Sequence, residues 1–159
     1  MTAWGHEMYL TAFTDYTLRT LVYVALQPSR MVTVAEIAEA YGISANHLMK
    51  VVQQLGEHGD VRTARGQGGG IRLARRPEHI NIGAVVRRTE PNLSGATCFC
   101  GKDSCVISEG CLLAEALNKA SAAFVGVLEG YTLADVVANR KMLSDLLHIR
   151  VDENAFCEG

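Results

Sequence analysis

The sequence predicts a mainly α fold with a small β wing, in which a winged helix-turn-helix is followed by a long dimerisation helix. Three observations lead to this prediction. Apolar residues recur at helical spacing in the first third of the chain, with a break at Gly42. Two alternating segments then flank a tip that carries four glycines. Finally, a broad apolar stripe lies between Cys111 and Gly130. It consists of Leu112, Leu113, Ala116, Leu117, Ala120, Phe124, Val127 and Leu128.

The first two helices are predicted from capping residues and apolar spacing. Thr14 or Asp15 is the expected N-cap of a first helix near residues 15–27. A second helix follows Thr33, and Gly42 ends it because glycine accepts the left-handed conformation that closes a helix. A short turn after this glycine would give the outline of a helix-turn-helix.

Ser44 is the expected cap of the third helix, which would be the recognition helix. Its apolar residues face the core, so the polar residues near its start point outward. A recognition helix lies in the major groove of DNA, where the residues near its N-terminus contact the base edges. The expected DNA contacts on this helix are Ser44, Asn46, His47 and Lys50.

A β-hairpin is predicted after Asp60, because apolar residues alternate on both sides of a Gly-rich tip. The tip lacks a Gly-Lys-Ser/Thr sequence and no helix opens behind it, so a nucleotide-binding loop is not expected. Basic side chains beside the glycines suit phosphate or minor-groove contacts. The expected contacts in this wing are Arg65, Gln67 and Arg72.

Charge is unevenly distributed, although the net charge is only −2. Residues 61–76 contain five arginines and no acid, whereas residues 89–159 contain ten acids and five basic residues. This asymmetry is typical of a protein that presents one basic face to nucleic acid. Double-stranded operator DNA is therefore the expected partner.

The second half of the chain predicts a dimerisation region. A short helix is expected from Ile82 to Arg88, and a long one from Cys111 until Gly130. The long helix would span about 27 Å, too much for so small a domain to cover. A two-fold homodimer would bury its stripe; the alternative is a helix folded back on its own domain. Short helices are expected at 132–137 and 142–147.

These elements divide the chain into three parts. We expect a winged-helix DNA-binding domain at 8–90, a cysteine-rich loop at 91–111, and dimerisation and C-terminal helices at 112–149. Residues 1–7 and 150–159 are expected to be disordered.

The cysteine-rich loop predicts a metal centre. Cys100, Cys105 and Cys111 are separated by four and five residues, and Cys98 lies close enough to replace Cys100 as first ligand. The spacing is looser than the Cys-x-x-Cys pairs of structural zinc sites, and a closed tetrahedral site needs a fourth ligand. An iron–sulfur cluster with an unusual fourth ligand fits better. A zinc-stabilised module and free thiols remain alternatives.

Three segments resemble a known family, the iron–sulfur winged-helix regulators of the NsrR and IscR kind. They are the opening from Met8 to Arg19, the wing from Arg65 to Leu73, and the three-cysteine loop. The cysteine spacing, followed by Tyr-Thr-Leu-Ala-Asp-Val, is most similar to NsrR-type members, which are nitric-oxide-sensing repressors. IscR-type members have a His three residues after the last cysteine, where this chain has Ala114.

The resemblance implies a homodimeric repressor that holds a cluster, 4Fe–4S rather than the alternative 2Fe–2S. It also implies that Asp15, from the partner protomer, is the fourth ligand; otherwise Asp15 would serve only as a helix cap. Nitric oxide would be the effector, and its reaction with the cluster would release the operator. The alternative function is a redox or iron–sulfur-supply sensor with a 2Fe–2S cluster.

Other classes of protein fit the sequence poorly. Apolar runs are much shorter than the ~20 residues of a membrane-spanning helix, and no signal peptide is recognisable. No cysteine is accompanied by His and Asp or Asn in a catalytic order, so no enzyme is expected. The expected location is the cytoplasm, where thiolates remain reduced.

Overall fold

The structure is a computed structural model that describes residues 10–90, 93 and 111–149. In these ranges it is mainly helical with one two-stranded sheet, and the predicted fold class is confirmed. The helices are α1 (Ala12–Ala25), α2 (Val34–Tyr41), α3 (Ala45–Glu57), α4 (Ile82–Thr89), α5 (Leu112–Glu129), α6 (Leu133–Val136) and α7 (Arg140–Leu146). The strands are β1 (Val61–Ala64) and β2 (Gly70–Leu73), and a 3-10 turn spans Pro77–His79.

Helix α1 begins earlier than the sequence predicts. Its N-cap is Thr11, whose side chain accepts a hydrogen bond from the Thr14 backbone N–H. The expectation of a cap at Thr14 or Asp15 was therefore wrong. The Glu90 carboxylate stabilises the helix start at this position. It accepts hydrogen bonds from the Thr11 N–H at 2.9 Å and from the Thr14 hydroxyl at 2.8 Å.

Helices α2 and α3 form the predicted helix-turn-helix. Thr33 and Glu36 cap α2 reciprocally, so that each side chain satisfies the other residue's backbone N–H. Gly42 closes α2 at φ 63°, as the sequence predicts for a glycine at this position. Helix α3 packs its apolar face into the core through Leu48, Val51, Val52 and Leu55.

The wing is the predicted antiparallel hairpin, in which Val61 pairs with Leu73 and Thr63 with Ile71. Val32 adds a bridge to Ile71, which joins the hairpin to the segment before α2. Asp60 precedes β1, and its side chain is buried and ion-paired with Arg88 of α4. The base of the wing is therefore fixed to the core by a charge pair.

Helix α5 packs on α4 by a close approach. A side chain at Gly83 would place its Cβ 2.5 Å from the backbone nitrogen of Glu129, so only glycine fits. The buried residue of α5 is Val125, which the predicted stripe did not include. Most of the predicted stripe is exposed instead, with Leu112 at 79%, Leu113 at 63% and Val127 at 64%.

The end of the described chain returns to α1 and to the 3-10 turn. Helix α6 packs near the 3-10 turn, and Arg140 at the start of α7 donates to the Ala25 carbonyl at 3.2 Å. No helix of the described residues is both long and apolar enough to cross a membrane. The expected disorder at 1–7 and 150–159 concerns residues outside the described ranges.

Candidate functional site

The predicted base-reading residues lie together on one exposed surface. Ser44, Asn46, His47 and Lys50 are all exposed at the N-terminal half of α3. Ser44 occupies the N-cap position, but its side chain makes no capping hydrogen bond. The first N–H groups of α3 are thus available to an external acceptor such as a DNA phosphate.

One further residue of this surface was missed in the sequence analysis. Met49 is 57% exposed between the expected contacts His47 and Lys50. An apolar side chain there can contact the methyl group of thymine in the major groove. An apolar residue at an otherwise polar position of a recognition helix was the signal that could have identified it.

Helix α1 touches the helix-turn-helix through aromatic contacts. The ring of Tyr16 stacks on the ring of His47, with centroids 6.2 Å apart. The Arg19 guanidinium lies 5.5 Å from the centroid of the Tyr41 ring, the last residue of α2. Burial raises the pKa of Tyr41 to about 12, and the face of its neutral aromatic ring attracts the cation. A displacement of α1 would therefore disturb its contacts with both α2 and α3.

The wing presents its predicted contacts at two levels. Arg65 and Gln67 lie in the exposed tip, where Gly66 and Gly68 adopt φ values of 93° and 77°. Arg72 lies on β2, below the tip, and is also exposed. The tip is thus formed by residues that permit positive φ, and its polar side chains are free to reach DNA.

Asp15 lies in the first turn of α1 with 41% of its side chain exposed. Its carboxylate accepts a bond of 2.9 Å from Arg19. This bond, before all other effects, raises the pKa of Arg19 above its usual value. Because Thr11 caps the helix, capping does not explain the presence of Asp15. The carboxylate is accessible to an iron atom from outside the helix.

Cys111 occupies the N-cap position of α5 and is half-buried. Within the described residues its side chain makes no capping bond, which leaves the sulfur and the first N–H groups of α5 for other partners. Such N–H groups stabilise a thiolate and can donate to cluster sulfides. Thiolate at Cys111 and carboxylate at Asp15 thus fit the donor set of an iron centre.

The other predicted ligands, Cys98, Cys100 and Cys105, lie outside the described residues. Within the described ranges, three or more metal-binding side chains are not brought together. Glu90 is the residue directly before the predicted cysteine-rich loop. Its buried carboxylate accepts hydrogen bonds from the start of α1, one turn before Asp15. Sequence reasoning missed Glu90, since its role depends on a contact across 79 positions.

Comparison with known proteins identifies the class. A family model described as "Rrf2: Iron-dependent Transcriptional regulator" matches residues 10–139. The chain belongs to the Rrf2 family. It is 48% identical to the HTH-type transcriptional regulator NsrR of Bacillus subtilis over 145 residues, which covers 90% of this chain and 99% of that protein. Over an equal length it is 47% identical to the NsrR of Geobacillus kaustophilus, with the same coverage.

Solved structures of Rrf2 regulators share the fold. IscR of T. potens aligns with a TM-score of 0.69 and 24% identity, covering 86% of this chain and 90% of that one. The cysteine regulator CymR of B. subtilis aligns with a TM-score of 0.68 and 22% identity, covering 84% and 98%. The predicted class, a winged-helix DNA-binding repressor, is therefore confirmed, and the relatives are transcriptional regulators.

Proposed function

We propose that this Rrf2 protein is a cytoplasmic homodimeric repressor that releases operator DNA when nitric oxide reacts with its iron–sulfur cluster. One observation carries the proposal. The helix that bears Asp15 contacts the recognition helix directly, through Tyr16 and His47. The relatives named NsrR, at 47–48% identity, support the same assignment.

The proposed ligands are the thiolates of Cys100, Cys105 and Cys111 and the carboxylate of Asp15 from the partner protomer, with Cys98 as the substitute for Cys100. The proposed cluster is 4Fe–4S. When bound, it supplies iron that reacts with nitric oxide, and its carboxylate-bound iron is more readily exchanged than a thiolate-bound one.

In the proposed switch, iron and the Arg19 guanidinium compete for the Asp15 carboxylate. The carboxylate that would hold iron is the one that accepts the Arg19 bond. Arg19 in turn lies over Tyr41 at the end of α2. A change of partner at Asp15 therefore changes the charge environment of α2 and the position of α1 against α3. Both effects alter how the recognition helix meets DNA.

The uncovered face of α5 supports the proposed homodimer. Phe124 and Leu128 pack against the domain core, Val125 is buried, and α5 contacts α4. An adjacent stripe of the same helix is exposed and apolar, and an 18-residue helix rarely leaves such a surface in water. The stripe consists of Leu112, Leu113, Ala116, Ala120, Ala123 and Val127. A second copy of α5 would cover it and would place two recognition helices on one face.

Native mass spectrometry of anaerobically purified protein, together with its absorbance spectrum, tests the ligand set. The expected species is a brown dimer with one 4Fe–4S cluster per protomer. An Asp15→Ala variant should lose its cluster faster on exposure to a chelator, because one ligand is missing. Asp145→Ala, which removes an exposed acid from α7, is the matched control.

Each other result has a defined meaning. A colourless zinc-loaded protein would overturn the cluster, and a 2Fe–2S mass would favour redox or cluster-supply sensing instead. Equal cluster loss in Asp15→Ala and wild type would remove Asp15 from the ligand set.

A further inference from the structure

A concave site lies beside the wing and includes Arg72, one of the expected DNA contacts. It has a volume of about 360 Å³ and is lined by the outer face of the hairpin, the end of α1, the 3-10 turn and the start of α7. No residue of α3 lines it, and neither Asp15 nor Cys111 does. The site is thus distinct from the proposed base-reading surface and from the proposed ligands.

Two arginines face each other across the hairpin at this site. Arg62 of β1 and Arg72 of β2 are direct partners in the strand register, and both are exposed. Within the described part of the chain neither guanidinium group has a hydrogen bond or an ion pair. Like charges directly opposite each other destabilise a hairpin. An anion bound between the two guanidinium groups would remove that penalty.

Three further arginines line the same concavity. Arg75 is held in place by the backbone oxygens of His58 at 2.8 Å and Gly59 at 3.1 Å. Arg140 donates to the Ala25 carbonyl at the end of α1, which offsets the negative end of that helix. Arg76 is paired with Glu78 at 3.4 Å, and Glu78 is the one acid among the described lining residues. The site is therefore strongly positive.

The remaining lining is apolar apart from Gln27, whose side-chain oxygen accepts a bond from Arg30. The apolar residues are Val24, Ala25, Pro28, Leu73 and Pro77. Arginine side chains above an apolar floor favour a ligand that presents a planar or tetrahedral oxyanion, because guanidinium groups donate paired hydrogen bonds to such oxygens. We propose that this concavity binds a phosphate group, held chiefly between Arg62 and Arg72. We take a small phosphorylated molecule as its source, because a concavity with apolar side chains among its lining suits a ligand that has a body beyond its phosphate, whereas a phosphate of the DNA backbone would only repeat the wing contact expected for Arg72.

The test compares Arg62→Gln with wild type in two assays of the cluster-loaded protein. The first measures binding to an operator selected from a random duplex library, as a function of salt concentration. The second is a calorimetric titration with inorganic phosphate and pyrophosphate in the absence of DNA. Lys141→Gln removes one positive charge from an exposed position outside the concavity and is the matched control. Thermal melting checks that each variant is folded.

If wild type binds neither inorganic phosphate nor pyrophosphate, and Arg62→Gln only lowers the slope of log affinity against log salt by about one for every sequence tested, the arginines are ordinary DNA contacts of the wing and the proposal is overturned. A small-molecule phosphate predicts that wild type binds inorganic phosphate or pyrophosphate and that Arg62→Gln weakens this binding at least tenfold. If Arg62→Gln matches Lys141→Gln in both assays, the site does not exist. Neither assay depends on nitric oxide, so this result is separate from that of the proposed function.

Discussion

Asp60 and Arg88 show how single residues hold the wing in place. The Asp60 side chain is 1% exposed, lies between α3 and β1, and pairs with Arg88 of α4. Burial also lowers the pKa of Arg88 below its usual value. A buried carboxylate is stable only while it is paired, so the position of the wing depends on this arginine.

Replacing Arg88 should therefore be costly. We expect Arg88→Ala to lower the free energy of unfolding by about 3 kcal/mol, because it leaves the Asp60 carboxylate buried without its main partner. Urea denaturation followed by circular dichroism measures the change. Arg87→Ala breaks the exposed pair with Glu129 and should cost less than about 1 kcal/mol. Equal losses in the two variants would show that the buried pair has no special role.

At the start of α2, Glu36 takes part in both a capping box and an ion pair. Glu36 accepts bonds from Thr33 and lies 2.7 Å from Arg30. Burial acts to raise the pKa of Glu36, but the bonds from Arg30 and Thr33 outweigh it, and the pKa lies below its usual value of 4.5. The ionised form thus belongs to the folded state.

This depressed pKa predicts a dependence of stability on acid. The contribution of Glu36 is fully present above its unfolded value of 4.5 and is lost as the pH falls through the lower folded value. We expect the stability difference between wild type and Glu36→Gln to be constant near neutral pH and to shrink at about pH 4 and below. Urea denaturation of the two proteins across this range measures it. A difference independent of pH would contradict the prediction.

The elements also show which features local sequence can predict. The helix-turn-helix and the wing were predictable, because Thr33, Gly42 and the glycines of the wing act on their own neighbours in the chain. The start of α1 was not, because Glu90 sets it from 79 positions away. The burial of Val125 and the need for glycine at Gly83 likewise follow from packing between α4 and α5. Periodicity within one helix cannot show which face its neighbour covers.

The candidate site was predictable to a similar degree. All seven expected DNA contacts are exposed. The apolar face of an amphipathic helix packs on the core, so its polar residues face solvent, as do the polar residues of a hairpin tip. Met49 was predictable as an apolar residue at a polar position of the recognition helix, but Arg62 was not, since nothing in its immediate neighbourhood in the chain separates it from ordinary surface arginines. The assignment of the cysteine-rich loop and of Asp15 stays a prediction.

The proposed repressor must form a dimer, and the exposed stripe of α5 is its expected interface. We expect Ala120→Glu to produce a monomer, because it places a charge in the middle of an apolar interface. Asn118→Glu adds the same charge to a polar face of the same helix and should leave the dimer intact. Sedimentation equilibrium distinguishes the two states. A dimer of unchanged affinity in Ala120→Glu would place the interface elsewhere.

In the proposed mechanism, nitric oxide controls DNA binding through the cluster. The most direct measurement is the affinity of anaerobic cluster-loaded protein for its selected operator during titration with nitric oxide. We predict that affinity falls at least about tenfold as the cluster absorbance is lost. If the treated protein binds the operator as tightly as the untreated protein does, the claim is contradicted.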